Sequence, residues 1–207
     1  MDQTPKKELK KDEWGIVLDF LSHGHYGMTR PEPVAQVIGE TYFSLLEIIV
    51  RDEAALRLGE RVYIGDKKRD KVKYIRERIK PKDLTNAARE ELQEVIDSLV
   101  KQSEARFVQF FSESRQLTTR MHQLELLPGI GKKHLWAILE ARSDKPFESF
   151  DDLKKRVSLL PDPEKMIVKR IMEELEEKDR YRLFVPRFEK AGEERHERHF
   201  HRPTRFI

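Results

Sequence analysis

The chain reads as α+β, a strand-rich first part followed by an all-α second part, and three observations carry that reading. Between Trp14 and Ile79, short runs of β-branched and aromatic residues are separated by turn signals at Gly59-Glu60 and Gly65-Asp66. Beyond Pro81 the apolar spacing becomes three and four residues: Leu92, Val95, Ile96, Leu99 and Val100, then Phe107, Val108, Phe110 and Phe111. A single glycine-rich break, Pro128-Gly129-Ile130-Gly131, then divides one helical stretch from the next.

The first part predicts strands over 14–21, 34–38, 42–50, 61–64 and 72–79. In the third run Tyr42, Ser44, Leu46, Ile48 and Val50 take one face, and Phe43, Leu45, Glu47, Ile49 and Arg51 the other. Five short strands in fewer than a hundred residues suggest a small closed barrel, and the OB-fold is the type that fits; residues 1–81 form this OB-like β-barrel. The His-, Gly- and Pro-rich segment 22–33 falls between the first two strands, where such a barrel carries a binding loop.

Residues 82–117 predict a long connecting helix, with Asp83 or Thr85 to cap it. Helices over 118–126, 132–142, 149–157 and 162–177 then build an all-α unit, residues 118–178. In the remaining stretch, 179–207, Tyr181-Arg182-Leu183-Phe184-Val185 is expected to return as a strand to the barrel edge, and a basic tail follows from about Ala191.

Composition narrows the function. The 207 residues are 38% apolar, enough for two small cores, and 38% charged, which demands a densely mixed ionic surface. The net charge of +3 does not by itself require an anionic partner, yet ten basic residues between Arg61 and Lys82 face only Asp66, Asp70 and Glu77. Cysteine is absent, which excludes disulfides, thiolate metal sites and cysteine nucleophiles. No apolar run has the length of a spanning helix, and Met1–Lys11 lacks the apolar centre of a secretion signal, so a cytoplasmic protein without membrane partners is expected.

The turn Leu127-Pro128-Gly129-Ile130-Gly131-Lys132-Lys133 has the make-up of a phosphate grip. Glycines permit positive φ and close approach of a phosphate to the main chain. The helix that follows starts with unbonded N–H groups and a partial positive charge. Ile130 should turn inward, and Lys132 and Lys133 are cations at the helix pole where a charge of that sign costs about 0.3–1 kcal/mol unless an anion sits between. A purely structural turn is the alternative. With Leu126-Leu127 before it and Ala137–Arg142 after it, the segment resembles the helix-hairpin-helix motif that grips nucleic-acid backbones. Pro146–Leu153 resembles the linker and third helix of a tandem pair, whose second hairpin would be Leu159-Leu160-Pro161-Asp162-Pro163. That hairpin lacks glycine and carries a carboxylate where a phosphate would sit, which makes it structural.

The string Arg120–Arg142, together with Glu104-Ala105-Arg106-Phe107-Val108-Gln109-Phe110-Phe111, is similar to the archaeal family catalogued as domain of unknown function 655, nearly to Val185. The resemblance implies a barrel followed by tandem helix-hairpin-helix motifs and nucleic-acid binding, with RNA in transcription or translation foremost. It implies no reaction.

A second candidate contact is the basic tip Lys67, Lys68, Arg69 and Lys71 beside Tyr63 and Tyr74, which would join phosphate attraction to base stacking; a solvated turn with buried tyrosines is the alternative. His23 and His25 lack an evident third ligand, and His196, His199 and His201 lie in the basic tail, so no metal or other cofactor is expected. Asp151-Asp152 and Glu173-Glu174-Glu176-Glu177 read as solvated faces, and no phosphate loop or nucleophile elbow is present. The expectation is a non-enzymatic, monomeric nucleic-acid-binding protein, with RNA ahead of DNA and a ribosomal or RNA polymerase component as a further partner. A protein-interaction adaptor is the main alternative, and an enzyme acting on nucleic acid is third.

Overall fold

A computed structural model describes residues 11–27, 31–177 and 179–187. Five strands, β1 (Trp14–Leu21), β2 (Val34–Gly39), β3 (Leu45–Val50), β4 (Arg61–Tyr63) and β5 (Val72–Arg78), form one antiparallel sheet in the order β4-β1-β2-β3-β5. Three register shifts bend it, one in β1 between Val17 and Asp19 and two in the β3–β5 ladder at Arg76 and Lys73. The sheet curls into a half-barrel and does not close. β4 and β5 are its two edges, which corrects the expected closed barrel. β4 is three residues long, and the amides that follow it, Ile64 and Gly65, donate to Glu13 O rather than to β5.

The expected alternation in the third run is present from Phe43 onward. Ile48 and Val50 join Val17, Val37, Val62, Ile64 and Val72 inside the curl, with Leu46 packed against them, while Phe43 and Leu45 join Leu18 and Ile38 on the outer face. Ordinary strand alternation puts Val17 and Leu18 on different cores, and Leu18 is the residue that the register shift leaves without a partner on β2. That outer core continues without a break into the helices through Leu84, Ala88, Leu92 and Ile96.

The long helical stretch is two helices, α1 (Asn86–Gln102) and α2 (Glu104–Glu113), parted at Ser103. Thr85 caps α1, its Oγ1 accepting from Ala88 N at 3.1 Å. The predicted helix over 118–126 is instead a small hairpin, β6 (Gln116–Thr118) and β7 (Met121–His122), leading into one 3₁₀ turn, Gln123–Leu126. Local side chains decide this: Gln123 accepts from Arg115 N at 2.6 Å, Thr118 from Arg120 N, and His122 and Glu125 form a reciprocal cap. Helices α3 (Lys132–Asp144), α4 (Phe150–Arg156) and α5 (Pro163–Leu175) complete the fold. Arg142 donates to Phe111 O and Ser114 O, at 3.1 and 2.9 Å, and ties α3 to the end of α2.

The run 181–185 is no strand and does not reach the sheet edge. Its amides at Leu183, Phe184 and Val185 donate to the carboxylate of Glu174 at 2.6, 2.9 and 2.8 Å, and Phe184 sets its ring edge-on to Phe107 and Phe110. A segment whose amides are already bonded by a carboxylate has no ladder to offer an edge strand. Glu174 thereby corrects the expectation of a solvated acidic face, because it is fully buried.

Candidate nucleic-acid interface

The turn before α3 is built from two buried anchors and an open rim. Leu127 and Ile130 are buried, and Ile130 N donates to Leu127 O at 3.1 Å, closing the turn. Between them Gly129 is exposed with φ +93°, and a Cβ there would stand 3.4 Å from Pro161 Cγ. Gly131 is also exposed, and a Cβ added to it would meet nothing within 4 Å. As the N-cap of α3 it offers no side chain to the first amides, whereas Thr85, Ser149 and Asp162 each cap their helices with an oxygen. The amide-lined pole of α3 thus faces open space beside Lys132 and Lys133, both exposed.

The two lysines are not equivalent. Lys132 Nζ is 2.7 Å from Glu125 Oε1, and this hydrogen bond, with a second from His122 N, holds the Glu125 carboxyl below its ordinary range. Lys133 makes no ion pair among the described residues. Two residues that sequence reasoning passed over belong to the same surface. His134 Nδ1 and Nε2 lie 3.2 and 3.1 Å from the carbonyls of Gly129 and Leu159, so one ring spans both hairpins; a neutral ring donates to one of them at a time. Trp136, one turn along α3 from Lys132, is 66% exposed. Periodicity alone assigns an apolar helical residue to the core, so spacing gives no sign of an indole left in solvent.

The turn 159–163 differs from the first in having its own side-chain cap. Asp162 Oδ1 accepts from Glu164 N and Lys165 N, at 3.0 and 3.3 Å, so its carboxylate serves its own helix. Asp151 and Asp152 pair with Lys154 and Arg156 at 3.0 and 3.1 Å.

At the β4–β5 tip, Lys67 and Lys68 are exposed and make no ion pair among the described residues. Arg69 donates to Gly65 O at 2.8 Å, and Lys71 pairs with Glu60, whose carboxyl is lowered by that bond. Tyr63 packs its ring edge against Trp14 at 5.1 Å, and its hydroxyl accepts from Lys67 N, so this ring braces the tip rather than standing free. Tyr74 is exposed and donates to Glu32 at 3.0 Å. Of the four tip cations Lys71 alone is paired with a carboxylate among the described residues, and Arg69 keeps its charge with one donor spent on Gly65 O.

In the segment 22–33, His25 Nε2 is 2.7 Å from Glu47 Oε2, a partner supplied by β3 rather than by the loop itself. Glu47 also takes Arg76 at 2.9 Å, and its pair across the ladder, Gln36, bonds Asp83 O and Thr85 N. These bonds join the outer face of β2 and β3 to the start of α1. No group of three metal-ligating side chains occurs among the described residues, and His196, His199 and His201 lie outside them. No helix among the described residues is long and apolar enough to cross a membrane.

Comparison with known proteins places the chain. A family model described as "Protein of unknown function (DUF655)" matches residues 11–186. The uncharacterized protein MJ0038 of Methanocaldococcus jannaschii is 46% identical over 185 residues, covering 87% of this chain and 84% of that protein. The crystal structure of Af1531 from Archaeoglobus fulgidus, itself assigned to DUF655, superposes with a TM-score of 0.77 at 47% identity, covering 84% of this chain and all of that one. With the match spanning the half-barrel and helices α1 to α5, the chain belongs to the DUF655 family.

Proposed function

We propose that the chain is a non-catalytic nucleic-acid-binding protein that grips backbone phosphates at Gly129–Lys133, with the β4–β5 tip as a second contact and RNA ahead of DNA as the ligand. The observation that carries the reading is the uncapped, exposed start of α3 beside Gly131 and Lys133, a cation with no ion pair among the described residues. A phosphate oxygen fits there because the main-chain donors and the lysine converge where no side chain intervenes. Two hairpins bridged by His134, one with glycines and one closed by Asp162, support a tandem helix-hairpin-helix reading in which only the first half binds. The strand order supports an OB-like, partly open barrel, and on such a barrel the loops 22–33 and 64–71 are those that meet nucleic acid.

The test is Gly131→Asp. Its φ of −94° and ψ of −179° suit an N-cap aspartate, so the variant should gain about a few tenths of a kcal/mol in stability while its carboxylate occupies the phosphate position. Fluorescence anisotropy at low salt, with a labelled single-stranded RNA and a duplex DNA of equal length, should show at least about a tenfold loss of affinity, the scale of one charge-assisted contact. Unchanged affinity would remove the hairpin from the interface.

Trp136 at 66% and Leu159 at 83% exposure favour a second reading, a protein-interaction adaptor of a transcription or translation assembly docking on these exposed apolar side chains. A partner retained through nuclease treatment and high salt would favour it, since phosphate contacts weaken steeply with salt.

A further inference from the structure

We propose that the chain carries a second anion site, separate from the hairpin, in which Arg106, Arg180, Arg182 and Arg187 bind the phosphate of a nucleoside monophosphate and Tyr42 leads to a cavity for the base. The site is a cleft of about 270 Å³ between the turn before β3, α2 and the segment 180–187. Among the described residues four guanidinium groups line it and no carboxylate does.

The arginines are held there by the fold. Arg106 Nη1 donates to Thr41 O at 2.5 Å, and burial lowers its pKa from the ordinary arginine value. The side chain of Arg182 is only 9% exposed, its nearest carboxylate, Glu177, is 3.8 Å away, and its buried Nε has no hydrogen-bond partner. Glu177 is meanwhile engaged by Lys80 at 2.6 Å. A guanidinium this desolvated, with no described carboxylate closer than 3.8 Å, carries a charge that is weakly compensated, and an anion bound in the cleft it lines would compensate it. The guanidinium fork suits a phosphate oxygen pair. Arg180 and Arg187, both exposed, stand at the rim.

Why a nucleotide rather than any anion follows from what adjoins the cleft. Tyr42 also lines a larger cavity of about 530 Å³, set between the unpaired edges β4 and β5 and bounded by Tyr63, Leu46, Ile75 and Ser44. That size and mixed lining are those of a small-molecule site. Arg78, at its border, is half-buried with its pKa brought down to about 10 by burial. The Asp12 carboxylate is spent on the amides of Thr41, Tyr42 and Ser44, at 2.8, 2.8 and 3.2 Å, which fixes Tyr42 between the two spaces. The failure of the sheet to close is what leaves the larger one open.

The test is calorimetric titration of the full chain at fixed ionic strength with AMP, inorganic phosphate and adenosine. AMP should bind saturably and more tightly than either phosphate or adenosine. Arg182→Gln and Arg180→Gln should each weaken AMP about tenfold, as loss of a charge-assisted contact does. Arg180→Gln, at the exposed rim, decides the matter if Arg182→Gln fails to fold. Gly131→Asp should bind AMP as the parent does, which separates this site from the hairpin. No saturable AMP binding, or AMP binding unchanged by Arg180→Gln, overturns the proposal; phosphate binding as tightly as AMP overturns its nucleoside half.

Discussion

Glu174 and Arg170 stand one turn apart on α5 and meet at 2.8 Å with the carboxylate fully buried. The pair is more than an intrahelical bridge. Glu174 gathers the amides of Leu183, Phe184 and Val185, while Arg170 takes Asp179 at 2.7 Å and Tyr181 O at 2.5 Å, so the two side chains together fasten residues 179–185 to the helix. This docking is what carries Arg180 and Arg182 to the arginine cleft.

Glu174→Ala should therefore destabilise the protein by about 3–5 kcal/mol, the cost of breaking a buried ion pair from one side and of leaving three main-chain amides without their acceptor. Denaturant unfolding measures it, and trypsin should cut at Arg180 and Arg182 sooner than in the parent. The double change Arg170→Met with Glu174→Leu should recover only part of the loss, because three main-chain amides still lack an acceptor. Full recovery would mean that the segment docks through Phe184 alone.

The two glycines of the hairpin should respond differently to alanine. Gly129→Ala places a Cβ at φ +93° and 3.4 Å from Pro161, and should cost about 1–2 kcal/mol in thermal or denaturant unfolding. Gly131→Ala meets open space at an allowed φ, so its cost should be the smaller of the two. Equal losses would argue that the turn relaxes as a unit.

Salt dependence should separate the lysines. Lys133→Gln should reduce the slope of log affinity against log salt by about one unit, the signature of one phosphate contact. Lys132→Gln should change it less, since Glu125 already neutralises that charge at 2.7 Å. A larger effect at Lys132 would show that the ligand displaces Glu125.

His122 predicts a pH dependence. Burial first, and then the nearby Arg142, lower its pKa below 6.5, and its Nδ1 accepts from Leu124 N at 3.1 Å, which requires an unprotonated nitrogen. The folded state thus disfavours the proton that the unfolded chain binds at pH 6.5 and below. Stability should be complete above that value and fall as the pH drops through it, by at most about 1.4 kcal/mol per pH unit. His122→Asn keeps a cap acceptor without the titration. Comparing urea unfolding of parent and variant at pH 7.5 and 5.5, the parent should lose more; parallel losses would place the titration elsewhere.

Trp136 should contribute to binding but not to folding. Trp136→Ala should leave the unfolding midpoint nearly unchanged and weaken single-stranded RNA by about 1–3 kcal/mol if a base stacks on the indole. In a Trp14→Phe background its fluorescence should change on adding RNA; a silent indole would leave this surface to a protein partner.

The amino-acid sequence by itself determined the location of five strands, because β-branched runs between turn signals are local, and the start of α1 to within a few residues, because Asp83 and Thr85 are both capping types and packing chose Thr85. It also marked the Gly129–Lys133 turn, whose shape depends on residues adjacent in the chain. Tertiary structure decided what depends on partners distant in sequence. Whether β4 met β5, whether Lys132 and Lys71 were free, and whether Glu174 faced water each turned on a residue elsewhere in the chain or on packing that local spacing does not encode. The arginine cleft belongs to the same class. Arg106 on α2 and Arg182 beyond α5 are far apart along the chain, and the docking of 179–185 by Glu174, Arg170 and the Phe184 ring brings them to one surface.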